Sequence, residues 1–541
     1  MVVCIECYPG VFENEVESAL RTFFPSAHVL CTARCLKTAS EIDLLVARDL
    51  PNDPVFGRLS GLELADFFSP EELSRSRNEL KPGGINFVLG VGAVLLSPHW
   101  DVLVYADLSR WEIQRRQRRG EIGNLGTAGK EARPGEKYRR AYFVDWRAAD
   151  RLKKQLIPNL DFLLDTNERN RPRMISGDLF RHALSLAANR AFRLQPFFDP
   201  GPWGGQWMKE VCQLPDDEPN YAWCFDCVPE ENSLVFGFAE RRLELPALDL
   251  VFSHPVELLG NAVHGRFGTE FPIRFDFLDT MEGGNLSLQV HPLTEYIQEH
   301  FGMHYTQDES YYLLDAGPDA CVFLGLKTAS DPDSVIRDLR VAQEGGAPFP
   351  AEQYVNQWPA KKHDHFLIPA GTIHCSGRNS MVLEISATPY IFTFKLWDWG
   401  RLGLDGRPRP IHLKHGIRNI QWDRTTNWVQ QQLVNRVEVI AEGEGWREER
   451  TGLHEREFIE TRRHWFTEAV QHETGGGVNV LNLVAGSEVA VESPSRAFEP
   501  LIIHYAETFI VPAAVGAYTI RPTTKTAEPH ATIKAFVRTK A

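Results

Sequence analysis

At 541 residues the chain has room for about three to four domains. Its 43% hydrophobic and 24% charged content is that of a folded globular chain, which excludes disorder over most of the length. Acids outnumber bases 72 to 58, a net charge of −14, so no basic reservoir exists for wrapping nucleic acid.

The amino terminus, MVVCIECYPG, lacks the positive lead and long apolar core of a signal peptide, and the longest apolar run, near 87–96, is about half a membrane span. Nine cysteines, an odd number, are too few for a disulfide scaffold and fit reduced thiols. The expectation is a soluble, cytoplasmic, multidomain protein that engages neither nucleic acid nor membrane.

Through the first third, short apolar runs (Val2–Cys7, 87–96, 102–105) alternate with helical patterns at Pro70–Arg77, 110–119 and 148–155. That alternation predicts an α/β domain with a mainly parallel sheet over 1–194. A helical pattern over 178–192 then runs into the Pro/Gly-rich stretch Gln195-Pro-Phe-Phe-Asp-Pro-Gly-Pro-Trp-Gly-Gly, which marks a boundary. Beyond it, short β-rich runs recur at 271–277, 286–291, 311–314, 321–324, 366–368, 382–385 and 391–395, and later at 479–484, 487–492 and 507–512. Such spacing predicts jelly-roll sandwiches, with domains at 195–419 and 420–541. The main interruption, 331–354, predicts a helix and a loop.

The middle domain carries the strongest chemical signal. In Leu286-Ser-Leu-Gln-Val-His-Pro, Gln289 and His291 are two apart on a strand and so share a face. Eighteen residues on, Glu309 opens the run Glu-Ser-Tyr-Tyr-Leu-Leu; sixty-five further, Phe366-Leu-Ile-Pro-Ala-Gly-Thr-Ile-His ends a strand in a tight turn at His374. Two imidazoles, a carboxylate and an amide oxygen can surround one divalent ion with a position left for substrate. That donor set suits zinc, with iron(II) or manganese as alternatives. Read alone, His291 and His374 are more simply taken as unrelated turn residues.

The surrounding motifs change that balance. Pro202-Trp-Gly-Gly, Glu270-Phe-Pro-Ile, the Gln289/His291 segment, Glu309-Ser-Tyr-Tyr-Leu-Leu-Asp-Ala, Ile368-Pro-Ala-Gly-Thr-Ile-His, Leu383-Glu-Ile and Leu396-Trp-Asp-Trp-Gly-Arg-Leu occur in the order found in class I mannose-6-phosphate isomerases. Glu507-Thr-Phe-Ile-Val-Pro-Ala-Ala-Val-Gly-Ala-Tyr-Thr-Ile continues the series. Over roughly residues 196–522 the chain resembles that family of zinc-dependent cupins. The resemblance implies a double cupin, one zinc ion per chain on Gln289, His291, Glu309 and His374, and a sugar or sugar-phosphate substrate. It also implies that Lys395, where the family carries arginine, stabilises the enediolate. Glu384 is the candidate base. Two family lysine positions hold Asp276 and Gln307 here, so positive charge for a phosphate is reduced, with Arg274, Lys327 and Arg401 as candidate replacements. A sugar-sensing homologue without turnover, and an iron(II) oxygenase using the two histidines and the carboxylate, are the competing readings.

The first third resembles a P-loop nucleoside kinase of the uridine-kinase kind that lacks its P-loop. Tyr8-Pro-Gly-Val stands where the phosphate loop would be, without its lysine. Arg115, Arg116, Arg118 and Arg119 resemble the basic lid and imply a possible anionic ligand, although a solvated helix face would look the same. Close cysteine pairs (Cys4/Cys7, Cys31/Cys35, Cys224/Cys227) are read as packed thiols, and His363 and His365 as exposed strand-edge residues. In the last domain His464 and His504 lack a matching ligand set, which points to a packing role.

Overall fold

The computed structural model of the protein describes residues 1–127, 132–389, 391–452, 454, 456–524 and 528–539. It comprises two compact units: Met1–Ala187 with Pro229–His254, and Ala188–Val228 with Pro255–Ala541.

The first unit is built on a six-stranded sheet in the order His28–Cys31, Asn86–Gly90, Val2–Cys7, Val102–Asp107, Phe162–Asp165, Arg173–Ser176. The first five strands run parallel and the last antiparallel. Asn86–Gly90 is buried throughout and Val2–Cys7 nearly so, which explains why they read as unbroken apolar runs rather than alternating ones. Helix starts are fixed locally: Thr38 and Glu41 form a capping box, and Ser69 and Ser109 each accept a backbone N–H of the first turn.

Two expectations change here. The helix expected over 178–192 is Gly177–Ala187. The boundary at 194 also misses an excursion: the hairpin Ser233–Phe238/Arg241–Pro246 and the helix Leu248–Ser253 belong to the first unit. A buried ion triad ties them in, with Lys153 Nζ 2.5 Å from both Asp107 Oδ2 and Asp249 Oδ1.

The arginines of the supposed lid are engaged within the unit. Arg116 is fully buried and donates to the carbonyls of Gly10 (2.9 Å) and Thr166 (2.6 Å) and to Glu112 (3.1 Å). Arg115 and Arg119 pair with Glu112, and Arg118 lies over the Trp111 ring. Cys4 and Cys7, on one strand, point their thiols at different backbone carbonyls, and all nine cysteines are free.

The second unit holds two antiparallel sandwiches. In the first, a six-stranded sheet (His365–Ile368, Glu309–Ala316, Ser380–Ala387, Ile273–Asp279, Trp223–Cys227, Phe197–Asp199) accompanies a five-stranded one (Val355–Pro359, Cys321–Leu326, His374–Ser376, Leu288–Val290, Phe394–Trp397). Helix Pro332–Gln343 fills the expected interruption, with Asp331 capping it and proline at its first position. In the second sandwich, the sheet Glu438–Gly443, Trp446–Gly452, Ile459–Phe466, His530–Val537, Asn479–Ala485, Thr508–Val511 is joined by Val470–Glu473, Ala517–Pro522, Glu488–Glu492, Leu501–His504. Phe466, Leu481, Leu483 and Phe509 from the larger sheet meet Val489, Val491, Tyr518 and Ile520 from the smaller in one apolar core.

His365, expected at an exposed edge, is completely buried, and burial with the nearby Arg463 pushes its imidazole down to about 3. Its strand ends the six-stranded sheet beside Glu309–Ala316, but a bridge from Phe366 to Val434 covers that edge. His363 is half-buried against the Tyr312 hydroxyl at 2.9 Å.

Candidate metal centre

Three elements of the first sandwich converge. Strand Leu288–Val290 stops one residue short of His291 because Pro292 cannot continue the ladder, and the backbone there is held by Gly371 N donating to His291 O (3.0 Å). Glu309 is the first residue of its strand, as expected. His374 begins strand His374–Ser376 instead of ending one, because the turn Pro369–Thr372 precedes it. Gly371 has φ +89°, and a Cβ there would lie 2.9 Å from Asn419 O, so the turn requires glycine. Arg424 Nη1 braces this turn from the carbonyls of Pro369 (2.8 Å) and Ala370 (2.7 Å).

The side chains meet inside the sandwich. His374 Nε2 is 2.7 Å from Glu309 Oε1, and His291 Nε2 is 3.1 Å from Glu309 Oε2. All three residues are buried, and their ligand atoms lie within 4.8 Å of one another. Each imidazole sets its Nδ1 against a backbone carbonyl, Thr372 O at 2.8 Å and Phe392 O at 3.3 Å, which leaves Nε2 turned inward. Gln289, opposite His374 in the ladder, places its amide 3.2 Å from His374 Nε2. A turn of the amide about its last bond would present Oε1 to the same point. His291 Nε2 and Glu309 Oε1 are buried yet lack an aligned hydrogen bond. Close approach without hydrogen-bond geometry fits donors that share an ion, and two imidazoles, a carboxylate and an amide oxygen are the donor set zinc takes. Burial works against charge on Glu309, but the two imidazoles hold its carboxyl well below the usual range.

Around the trio lies a polar network that strand alternation did not reveal. Asp276 and Glu384 are directly opposite across one strand pair, as are Glu384 and Tyr311 across the next. Arg274, on the same strand as Asp276, joins Asp276 Oδ2 (2.8 Å) and Glu384 Oε1 (2.6 Å). Gln307 donates to Glu309 Oε2 (3.0 Å) and Glu384 Oε1 (3.3 Å), and Ser386 Oγ donates to Glu384 Oε1 (3.0 Å). Arg274 is therefore bound to two carboxylates and cannot serve as the phosphate clamp considered from sequence. Burial and the Glu309 charge push the Glu384 carboxyl up to about 8, against the pull of Arg274. Nothing in the local pattern marked Arg274 as internal, since charged residues alternating with apolar ones usually face water.

The opposite sheet contributes Lys395, which pairs with Gln289 in the ladder. Burial and Arg409 push its half-buried ammonium down to about 7. Nearby, Asp398 accepts from Ser287 Oγ (2.9 Å) and Arg401 (2.5 Å) and pairs with Arg409 (2.8 Å). Lys327, the remaining candidate, donates to Glu352 O (2.6 Å).

Two antiparallel sandwiches, one enclosing a His–Glu–His trio, define a cupin-type protein with a candidate metal centre. Residues 1–189 match a family model described as Domain of unknown function (DUF8485). The chain is 26% identical over 228 residues to mannose-6-phosphate isomerase ManA of Bacillus subtilis (strain 168), covering 42% of this chain and 67% of that protein. It is 26% identical over 217 residues to mannose-6-phosphate isomerase of Streptococcus mutans, covering 40% and 63%. Among solved structures, mannose 6-phosphate isomerase from Bacillus subtilis superposes with a TM-score of 0.51 at 16% identity, over 64% of this chain and 99% of that one, a likeness of fold. The chain is homologous to mannose-6-phosphate isomerases, and the matched stretch spans about two thirds of these curated relatives. Among the described residues no helix is long and apolar enough to cross a membrane.

Proposed function

We propose that the chain is a metal-dependent aldose–ketose isomerase, with zinc as the resident ion and a mannose-type sugar, phosphorylated or not, as substrate. The observation that carries this reading is the inward convergence of His291, Glu309 and His374 in a cupin homologous to isomerases. The ion would be held by these three and Gln289, and would supply Lewis-acid polarisation of the sugar oxygens. Glu384 is the candidate to carry the proton between adjacent carbons, and its raised pKa suits a base that must also return that proton. Lys395, on the facing sheet, would offset negative charge developing on the sugar. Lys395, Arg401 and Arg409 gather around the single Asp398 and offer the excess positive charge a phosphate would need.

The reading is tested by aldose–ketose turnover of purified, metal-loaded protein on mannose-6-phosphate, fructose-6-phosphate and mannose. Asp276 and Gln307 remove two cationic positions, and a charge-assisted contact is worth roughly 1.5–3 kcal/mol. We therefore expect kcat/KM on mannose-6-phosphate at least about tenfold below that of a lysine-bearing relative. Equal efficiency would show that these positions do not meet the phosphate.

The pH profile tests Lys395 separately. An ammonium with a pKa near 7 is charged below that value and loses its charge above it. Because Glu384, raised to about 8, must be deprotonated to act as base while Lys395 must be charged, kcat/KM should peak between about pH 7 and 8 and fall above that. Lys395→Arg should flatten that descending limb because guanidinium stays protonated. An unchanged limb in the variant would remove Lys395 from the reaction.

A second reading rests on the buried Arg274–Asp276–Glu384 cluster, which engages the candidate base: a sugar-sensing homologue that keeps the metal and lacks turnover. Saturable sugar binding without interconversion would favour it.

For the first unit we propose a kinase-derived fold without phosphotransfer. Five parallel strands with the first in a central position support the resemblance. Tyr8 occupies the turn after that strand, buried and donating to Asp150 Oδ1 (2.8 Å), and no lysine follows it before the helix Glu13–Phe23. The full chain with Mg-ATP should phosphorylate no nucleoside, as followed by labelled phosphate transfer.

A further inference from the structure

The second sandwich buries a cation that the metal centre does not use. Lys534 lies on strand His530–Val537 directly opposite Leu481, a member of the apolar core, so its side chain is on the inward face. It is 7% exposed. Across the other strand pair it faces Arg462, and like charges directly opposite one another are destabilising. Arg462 is compensated, by Glu460 at 2.6 Å and Glu448 at 3.2 Å. Lys534 has no hydrogen bond or ion pair among the described residues; its Nζ lies 5.6 Å from the Phe536 ring centroid. Burial, with Arg462 nearby, pushes this ammonium down to about 8 against the pull of Glu448 and Glu460, neither of which touches it.

There is room for one. A cavity of about 320 Å³ is lined by Lys534, Arg462, Phe536, Asn479 and the turn residues Thr474 and Gly475. Two further charges, Glu473 and Arg538, stand exposed at its rim and offset each other. Glu460 also lines it, but its carboxylate is bound to Arg462. No described carboxylate contacts Lys534, a nine-tenths-buried amine, directly: Glu460 and Glu448 are both bound to Arg462 instead.

We propose that the second sandwich holds a binding site for a small oxyanion, a phosphate or a carboxylate group, seated on Lys534 with Arg462 beside it. The site lies in the other sandwich from the His291–Glu309–His374 trio and does not depend on isomerase activity. The bound anion separates the two facing cations and supplies the hydrogen bonds the ammonium lacks.

The test uses the full-length, metal-loaded protein with inorganic phosphate and, separately, acetate as probes. Acetic anhydride labels accessible amines, and peptide mass analysis follows the rate at Lys534. The anion that belongs in the site should slow acetylation of Lys534 several-fold and saturably while exposed lysines react unchanged; which of the two protects distinguishes phosphate from carboxylate. Calorimetry should show that anion binding about tenfold or more weaker in Lys534→Met and near wild type in Lys534→Arg, the loss expected for one charge-assisted contact. Metal content should be the same in all three proteins. An acetylation rate at Lys534 indifferent to both anions, or unweakened binding in a folded Lys534→Met, would overturn the proposal. If Lys534→Met does not fold, the wild-type labelling decides alone.

Discussion

Replacing both His291 and His374 with alanine should give a folded protein that retains no stoichiometric metal. The two imidazoles supply both nitrogen donors, and their Nδ1 atoms engage only backbone carbonyls, Phe392 O and Thr372 O. Their loss therefore breaks no other side-chain hydrogen bond of the turn that carries His374, which Arg424 continues to brace. The wild type should lose stability on chelation, since an ion at a thousandfold excess over its Kd contributes about 4 kcal/mol. The double variant should show no response to chelator. Metal analysis by mass spectrometry, with melting curves before and after chelation, checks both; one full equivalent of metal in the double variant would place the ion elsewhere.

The largest stability effect is expected in the first unit. Lys153→Met leaves Asp107 and Asp249 buried together without the cation that separates them. Removing one partner from a buried charged cluster costs about 3–5 kcal/mol. Burial already pushes the Asp249 carboxyl up to about 8, so the variant should relax by taking up a proton or by releasing residues 229–254. Denaturant titration should show the loss, and limited proteolysis should cut first within the 229–254 excursion. Replacing Asp107 and Asp249 with asparagine in the same variant should restore part of the stability, because no uncompensated charge remains. A loss under about 1 kcal/mol would mean that water reaches the triad.

What could be seen in the sequence follows from the distance over which each cause acts. The parallel strands and jelly-roll strands were legible because burial on both faces, or alternation, is written into four to eight successive residues. The His291–Glu309–His374 cluster was legible because His291 directly follows the short strand that carries Gln289, and the turn before His374 carries its own proline and glycine. The 229–254 excursion was not, since Asp249 and Lys153 are 96 residues apart and their pairing leaves no local pattern. Arg274 was misread for a related reason. The sequence offers it as a replacement cation for a phosphate, and only the pairing of strands Ile273–Asp279 and Ser380–Ala387 shows that Asp276 and Glu384 engage it. His365 follows Lys361 and Lys362 and so looked exposed, yet the bridge from Phe366 to Val434 covers its strand. His472, whose ring stacks on Tyr518 and lies 4.4 Å from that of His464, escaped notice as a single histidine in a polar strand.

We propose that this chain is a metal-dependent sugar isomerase built on the His291–Glu309–His374 trio. It is tested most directly by measuring metal content and mannose-6-phosphate, fructose-6-phosphate and mannose interconversion on one preparation, before chelation, after it, and after zinc is restored. The protein should hold one equivalent of metal per chain and interconvert at least one of these sugars, an activity that disappears with the ion and returns with it. A full equivalent of metal with no interconversion of any of these sugars, or turnover indifferent to chelation, would contradict it.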